Sequence, residues 1–352
     1  MKKLFLTLIA IAALIFNSCS NKVDLYSYDG DTTIVYAMLD ASLDTNFFKI
    51  THSFLGDATQ LAHDYDANNY KYDEIEVTLS GNFVDDILPN GTIVLGHYDF
   101  TLDTISKWIP YDPNSQFYSG CYQTYYYVTK TMAEGQEYTI NVLRKEDNVN
   151  VTAKTKTINS FRINKPLSTS TINFNIKKYT MEWSVPDPST LWHTTAAYFE
   201  ITGYFHYKEL MPGATDTVHQ TIRWSLGSDK AENLVMYANN MVFYAFTFSP
   251  EGLFGILDTD TYLREHSPMG VQRFFDKFEF EITAIGEELY NYHIVTTSSS
   301  AIQDVPNYSN VENGMGLMSS RISKKVFNTI NILARVEIHD RFPQYGFELP
   351  LY

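Results

Sequence analysis

Residues 135–158, GQEYTINVLRKEDNVNVTAKTKTI, decide the fold class. Tyr138, Ile140 and Val142 alternate with polar residues, a polar stretch follows from Lys145 to Asn148, and Val149, Val151 and Ala153 resume the alternation. A period of two sends successive side chains to opposite faces, so each run reads as a half-buried strand and the polar break between them as a turn. The stretch is a β-hairpin closing a sandwich-like domain.

Working outward, the same period recurs on both sides. Upstream, Val35, Ala37 and Leu39 alternate in one run, Phe48, Ile50, His52 and Phe54 in a second, and Ile75, Val77 and Leu79 in a third. Each places one face toward a core and the other toward water, as antiparallel sheets require. Downstream, strands are expected in TMEWSV (180–185), AAYFEITGYFHYKEL (196–210), VHQTIRWSL (218–226) and NNMVFYAFTF (239–248). Pro250 to Arg264 carries Leu253, Ile256 and Leu257 at helical spacing behind a proline, which predicts a short helix.

The period changes inside residues 276–299, DKFEFEITAIGEELYNYHIVTTSS. Phe278, Phe280 and Ile282 face one way while Glu279, Glu281 and Thr283 face the other, a half-buried strand. After Gly286, Glu287 and Glu288 sit where a helix N-terminus favours negative charge, and Leu289, Tyr292 and Thr296 would share a helix face. The tail at 328–342, NTINILARVEIHDRF, alternates again and reads as strand.

The chain has 352 residues, more than the roughly 250–300 at which single cores stop growing, so two domains are expected. Residues 159–175 are rich in Ser, Thr and Asn and poor in apolar alternation. The expected division is therefore a β-sandwich of immunoglobulin-like or transthyretin-like kind over 24–160, a linker over 161–175, and a second β-rich domain with short helices over 176–352. The fold class is mainly β: two antiparallel β-sandwich-like domains, the second with α+β character.

The N-terminus carries the address. Lys2 and Lys3 precede an apolar run from Leu4 to Phe16, too short for a spanning helix, which needs roughly 20 residues. That is the pattern of an export signal over residues 1–18. Ser18 before Cys19 resembles the lipobox of bacterial lipoproteins, in which the thiol is acylated and becomes the new N-terminus. Residues 19–23 would then be a lipidated tether, holding the protein to a bilayer surface without crossing it. The alternative is a plain secretory signal with an incidental cysteine.

Cys121 is the only other cysteine, so no disulfide framework is expected, and YSGCYQ offers it neither a cationic neighbour nor a helix N-terminus to activate it. Apolar burial must carry the fold; hydrophobic residues make up 44% and aromatics 15%. The formal net charge of -15 opposes binding to phosphate backbones and argues against a nucleic-acid partner.

No HExxH, CxxC, GxSxG or glycine-rich phosphate loop is present, and no cofactor is implied. In DYDANNYKYDEIE, Asp64, Asp66 and Asn68 take the first three places of a calcium-loop pattern, but Asn69 and Ile75 stand where the glycine and the closing glutamate belong. A polar loop without metal is the better reading. Glu287 and Glu288, adjacent on a helix, diverge by about 100°, poor geometry for two carboxylates flanking one bond. His293 reads as a packed or solvated histidine. The most specific binding candidate is FYSGCYQTYYYVTK, where Tyr118, Tyr122 and Tyr126 share one strand face. If Cys121 points inward those tyrosines point out and could stack on sugar rings or a partner protein; the other reading is a covered aromatic ladder.

Together the lipobox, VYAMLD (35–40), FLGDA (54–58), GEELYNY (286–292) and NYSNVENGMGLMSSR (307–321) resemble uncharacterised Bacteroidota outer-membrane lipoproteins of a domain-of-unknown-function family, often encoded near TonB-dependent transporters. The resemblance implies a lipid-anchored protein of the outer membrane, on a leaflet face left open, with a transporter, glycan or peptide as partner. Asp31-Thr32-Thr33, Asp103-Thr104-Ile105 and Asp216-Thr217-Val218 also resemble the O-glycosylation acceptor of that phylum, though turn chemistry explains Asp-Thr equally well. The expectation is an envelope binding or accessory protein rather than an enzyme. A glycan hydrolase with carboxylates assembled from distant loops and a structural or adhesion protein are the alternatives.

Overall fold

The structure, a computed structural model, describes residues 32–53, 72, 74–110, 121–174, 176–185, 194–238, 241–267, 270–298 and 308–349. It is mainly β with short helices in its second half.

The first half contributes β1 (Thr33–Leu39), β2 (Asn46–His52), β3 (Ile75–Ile87), β4 (Ile93–Thr101), β5 (Asp103–Ile109), β6 (Cys121–Val128), β7 (Glu137–Arg144) and β8 (Val149–Lys156). The hairpin expected at 135–158 is β7 and β8, paired from Glu137 with Lys156 to Arg144 with Val149 around the polar turn. Strands β8, β7, β3 and β4 form one sheet, and β1, β2, β6 and β5 lie side by side in another. Their inward residues meet in one core: Val35, Ala37, Phe48, Ile50 and Tyr126 from one sheet, Val77, Leu79, Tyr138, Ile140, Val142 and Val151 from the other. Tyr138 is fully buried, and its hydroxyl donates to the Asn82 carbonyl and accepts from the Ala133 amide. Burial pushes the phenol up to about 12.

The second half contributes β9 (Arg162–Lys165), β10 (Thr171–Ile172), β11 (Tyr179–Ser184), β12 (Tyr198–Leu210), β13 (Val218–Lys230), α1 (Ala231–Leu234), β14 (Val235–Ala238), β15 (Met241–Phe248), α2 (Gly252–Thr259), α3 (Thr261–His266), β16 (Gln272–Ile285), α4 (Glu287–Ser298), β17 (Val311–Glu312), β18 (Met315–Ile330), α5 (Ile332–Arg341) and β19 (Phe347–Glu348). A large sheet in the order β13-β12-β16-β18 packs against the smaller sheet β14-β15-β11-β9 and the helices. Their core is dense in aromatics: Trp183, Phe199, Phe205, Tyr207, Phe278 and Phe280 are all essentially sealed from solvent. Each such ring contributes about 1.5–3 kcal/mol by its burial, which is how a chain without a disulfide framework holds together.

Strand β18 joins the halves. Residues 315–320 run parallel to β1, and residues 321–329 pair antiparallel with β16. Met318 therefore packs in the first core and Ile322, four residues further on, in the second. Val311, in β17 on β8, also belongs to the first core. A strand shared in this way links the sheets into one path of hydrogen bonds. Gly316 makes the parallel pairing possible: it has φ +122, and a Cβ there would lie 2.0 Å from the Val35 carbonyl oxygen.

Two expectations need correction. In the segment expected as a linker over 161–175, residues 161–174 are packed into the fold: β9 pairs with β11, β10 pairs with β18, and Phe161, Ile172 and Phe174 are buried in the second core. Polar composition misleads there because three well-placed apolar residues suffice to bury the segment. The tail after Ile330 is a helix rather than a strand. The Asn331 side chain accepts from the Leu333 amide at 2.8 Å and caps α5, and Ala334 and Ile338, four apart, form its buried face. Ile332, Ala334, Val336 and Ile338 also alternate, so the sequence fits both periods.

Candidate functional site

The inward residues of β12 are Phe199, Ile201, Phe205 and Tyr207, so Tyr198, Glu200, Thr202, Tyr204 and His206 point to the opposite, outer face of the large sheet. Register carries the same face across Arg223 on β13, across Glu279, Glu281 and Thr283 on β16, and across Arg321, Ser323 and Lys325 on β18. The outward placing of Glu279, Glu281 and Thr283 is the one their alternation predicts. The result is a band of titratable side chains contributed by four strands.

Glu279 is its centre. One carboxylate oxygen accepts from His206 Nε2 at 2.9 Å, and the other lies 2.7 Å from Lys325 Nζ. His206 Nδ1 is 2.9 Å from the Thr221 hydroxyl, which fixes the ring. Lys325 also reaches Glu281 at 3.7 Å, and Glu281 accepts from the Tyr204 hydroxyl at 2.8 Å. Burial acts to raise the Glu279 carboxyl, but Lys325 and His206 outweigh it and hold the group below the ordinary value of 4.5. Glu279 in turn raises the Lys325 ammonium, and burial with Glu281 raises the Tyr204 phenol.

Further along the same face, α4 leaves the sheet at Gly286 and folds back over it. The Gly286 amide donates to the Ser320 carbonyl at 2.8 Å. Glu288 accepts from Thr155 at 2.9 Å and from Ser319 at 3.0 Å, so it pins the helix to β8 and β18 rather than serving only its dipole. Between helix and sheet lies a pocket of about 130 Å³ lined by Tyr198, Glu200, Thr283, Ile285, Leu289, Tyr290, His293 and Arg321. The Tyr198 and Tyr290 rings stack 4.9 Å apart at one wall. His293 is exposed at the rim. A wider, open depression of about 580 Å³ lies between α2, α3 and the C-terminal turn, lined by Asp258, Thr259, Arg264, Ser267, Gln344 and Tyr345.

A scan against models of known protein families finds no match, and a comparison with curated proteins finds none either.

Of the tyrosines expected to form an outward stripe, Tyr118 lies outside the described residues. Tyr126 is 7% exposed and points into the first core beside its cross-strand partner Phe48, correcting its expected outward aim. Tyr122, on the same side of β6, is 64% exposed, and its ring meets Trp108 edge-on at 5.1 Å. Cys19, Asp31 and the calcium-like loop from Asp64 to Asn69 lie outside the described residues. Asp103 opens β5, and Asp216 stands in the turn before β13. Among the described residues, no three or more His, Cys, Asp or Glu side chains gather as a metal set. The outer-face band was missed because its members are far apart in sequence; the available signal was the pair of outward carboxylates Glu279 and Glu281 in one strand.

Proposed function

We propose that this chain is a lipid-anchored binding or accessory protein of the outer membrane, working beside a transporter, and that it recognises polar ligands such as glycan or peptide on the outer face of β13, β12, β16 and β18. The anchor is Cys19, whose setting after an export signal motivates the address. No helix among the described residues is long and apolar enough to cross a membrane.

The observation that carries the reading is the fixed array around Glu279. Glycoside hydrolysis needs one carboxyl kept protonated near neutral pH, a group with a raised pKa. Glu279 is moved the other way, by an ammonium and an imidazole that also hold it in place. An ionised, immobilised carboxylate flanked by donors is a hydrogen-bonding surface, suited to orienting a polar ligand.

The test is a binding panel of short peptides and neutral oligosaccharides against the purified chain and its Lys325→Gln and Tyr204→Ala variants. Saturable binding, weakened several-fold in the variants while folding is retained, is the expected result. Binding unaffected by both variants, or cleavage of an oligosaccharide that stops in Glu279→Gln, would overturn it. The address has its own check: mass spectrometry of the protein from its native cells should find an acylated Cys19 as the first residue, and an unmodified thiol would contradict it.

A further inference from the structure

Within the band on the outer face, most charged groups satisfy one another, but two do not. Glu200 and Arg321 both line the pocket under α4, and neither has a hydrogen-bond or ion-pair partner among the described residues. Glu200 is half-buried and opposite Thr283, and Arg321 is opposite Ile285 on the far side of β16. Two strand spacings and a two-residue offset put their backbones about 12 Å apart. Both residues line the same pocket, so it carries one carboxylate and one guanidinium.

We infer that this pocket binds a compact zwitterion, an α-amino acid or a dipeptide. The ammonium would meet the Glu200 carboxylate beside the stacked Tyr198 and Tyr290 rings, and the carboxylate would meet the planar guanidinium of Arg321 with His293 beside it. Size agrees with this class. A cavity of about 150 Å³ accepts a molecule the size of benzene, so 130 Å³ fits a small ligand of that order. Charge agrees too: a phosphate or a dicarboxylate would be repelled by Glu200, and a simple amine would leave Arg321 unmet. The Tyr198 hydroxyl is held by Ser228 at 2.6 Å, and Lys230 sits over the Tyr290 ring at 5.7 Å, so the aromatic wall is in place before a ligand arrives.

This inference rests on the reading of the outer face as a recognition surface and gives it a ligand class. The experiment is isothermal titration of the purified chain with L-alanine, L-alanyl-L-alanine and N-acetyl-L-alanine amide, which keeps the size but loses both charges. Saturable binding of alanine or of the dipeptide is expected, and which of the two binds more tightly distinguishes a free amino acid from a peptide as the source. The blocked amide should bind at least tenfold more weakly, and Glu200→Gln and Arg321→Gln should each weaken the charged ligand at least tenfold with an unchanged unfolding midpoint. Equal binding of the blocked amide, full binding by both variants, or no binding of either zwitterion overturns the inference. In the last case, a peptide or oligosaccharide that still binds in the wider panel with sensitivity to Lys325→Gln leaves the recognition face standing. Silence in both experiments removes both.

Discussion

Strands β12 and β16 carry two charged centres that differ in almost every physical respect. At one end, Glu209 and Arg273 are cross-strand partners, 1% and 0% exposed, with Arg273 Nε donating to the carboxylate at 2.8 Å. Nη2 lies 2.8 Å from the same oxygen, off the line a good hydrogen bond prefers. The other carboxylate oxygen accepts from Tyr262, which is itself held by Gln220, and Arg273 Nη1 donates to the Tyr345 carbonyl at 2.5 Å. This sealed pair ties α3, β13 and the C-terminal turn to the sheet. On the outer face, Glu279 is 6% exposed and held by His206 and Lys325, but Lys325 is 48% exposed and the neighbouring Glu200 and Arg321 are left open. Sealed charges must neutralise one another completely to offset their lost hydration, so they serve the fold. Charges facing water carry no such requirement, and those left open are free for a ligand.

That contrast can be broken by mutation, beginning with the sealed pair. Arg273→Met strands a buried carboxylate and should cost about 3–5 kcal/mol in denaturant unfolding. Adding Glu209→Leu to it should recover part of that loss, because the double variant no longer buries an unpaired charge. An Arg273→Met variant of parental stability would remove the distinction. Glu279→Gln should cost less, about 1 kcal/mol near neutral pH, since the amide oxygen can still accept from one of the two donors, His206 or Lys325, and the site lies beside water.

Its pH dependence sharpens the point. The Glu279 carboxyl is depressed, so its contribution is present above the ordinary value of 4.5 and fades as pH falls through the lower folded value. The parent and Glu279→Gln should therefore converge in stability at acid pH. Lys325 is raised, and its share is lost as pH climbs through the folded lysine value, so the difference should also shrink at strongly alkaline pH. A gap that stays constant from acid to alkali would contradict the assigned pairing. The smallest effects belong to the open residues: Glu200→Gln and Arg321→Gln should each change stability by less than about 0.5 kcal/mol.

Much of the fold was legible because period and position agreed. The 135–158 hairpin, the strand, turn and helix unit at 272–298, and the strands at 179–184, 198–210 and 218–230 all follow from alternation bounded by turn residues. Where two periods coexist, as at Ile332–Ile338, the Asn331 cap decided for helix. The sharing of β18 between two cores was hidden because parallel pairing of β1 with residues 315–320 depends on the far end of the chain. Gly316 marks the place, yet a glycine does not name the strand that approaches it. The candidate site was hidden for the same reason: Glu279 meets His206 and Lys325 through register, and sequence alternation shows only that each of them faces outward. The aromatic stripe failed at Tyr126 because alternation assigns two faces without saying which one the core occupies.

The most direct measurement is a titration of L-alanyl-L-alanine into the Glu200→Gln/Arg321→Gln double variant, with the unfolding midpoint recorded on the same preparation. An unchanged midpoint together with loss of the binding heat seen in the parent is the predicted result. A parental isotherm, or a midpoint that collapses as it does in Arg273→Met, would show that these charges do not form a site set apart from the fold.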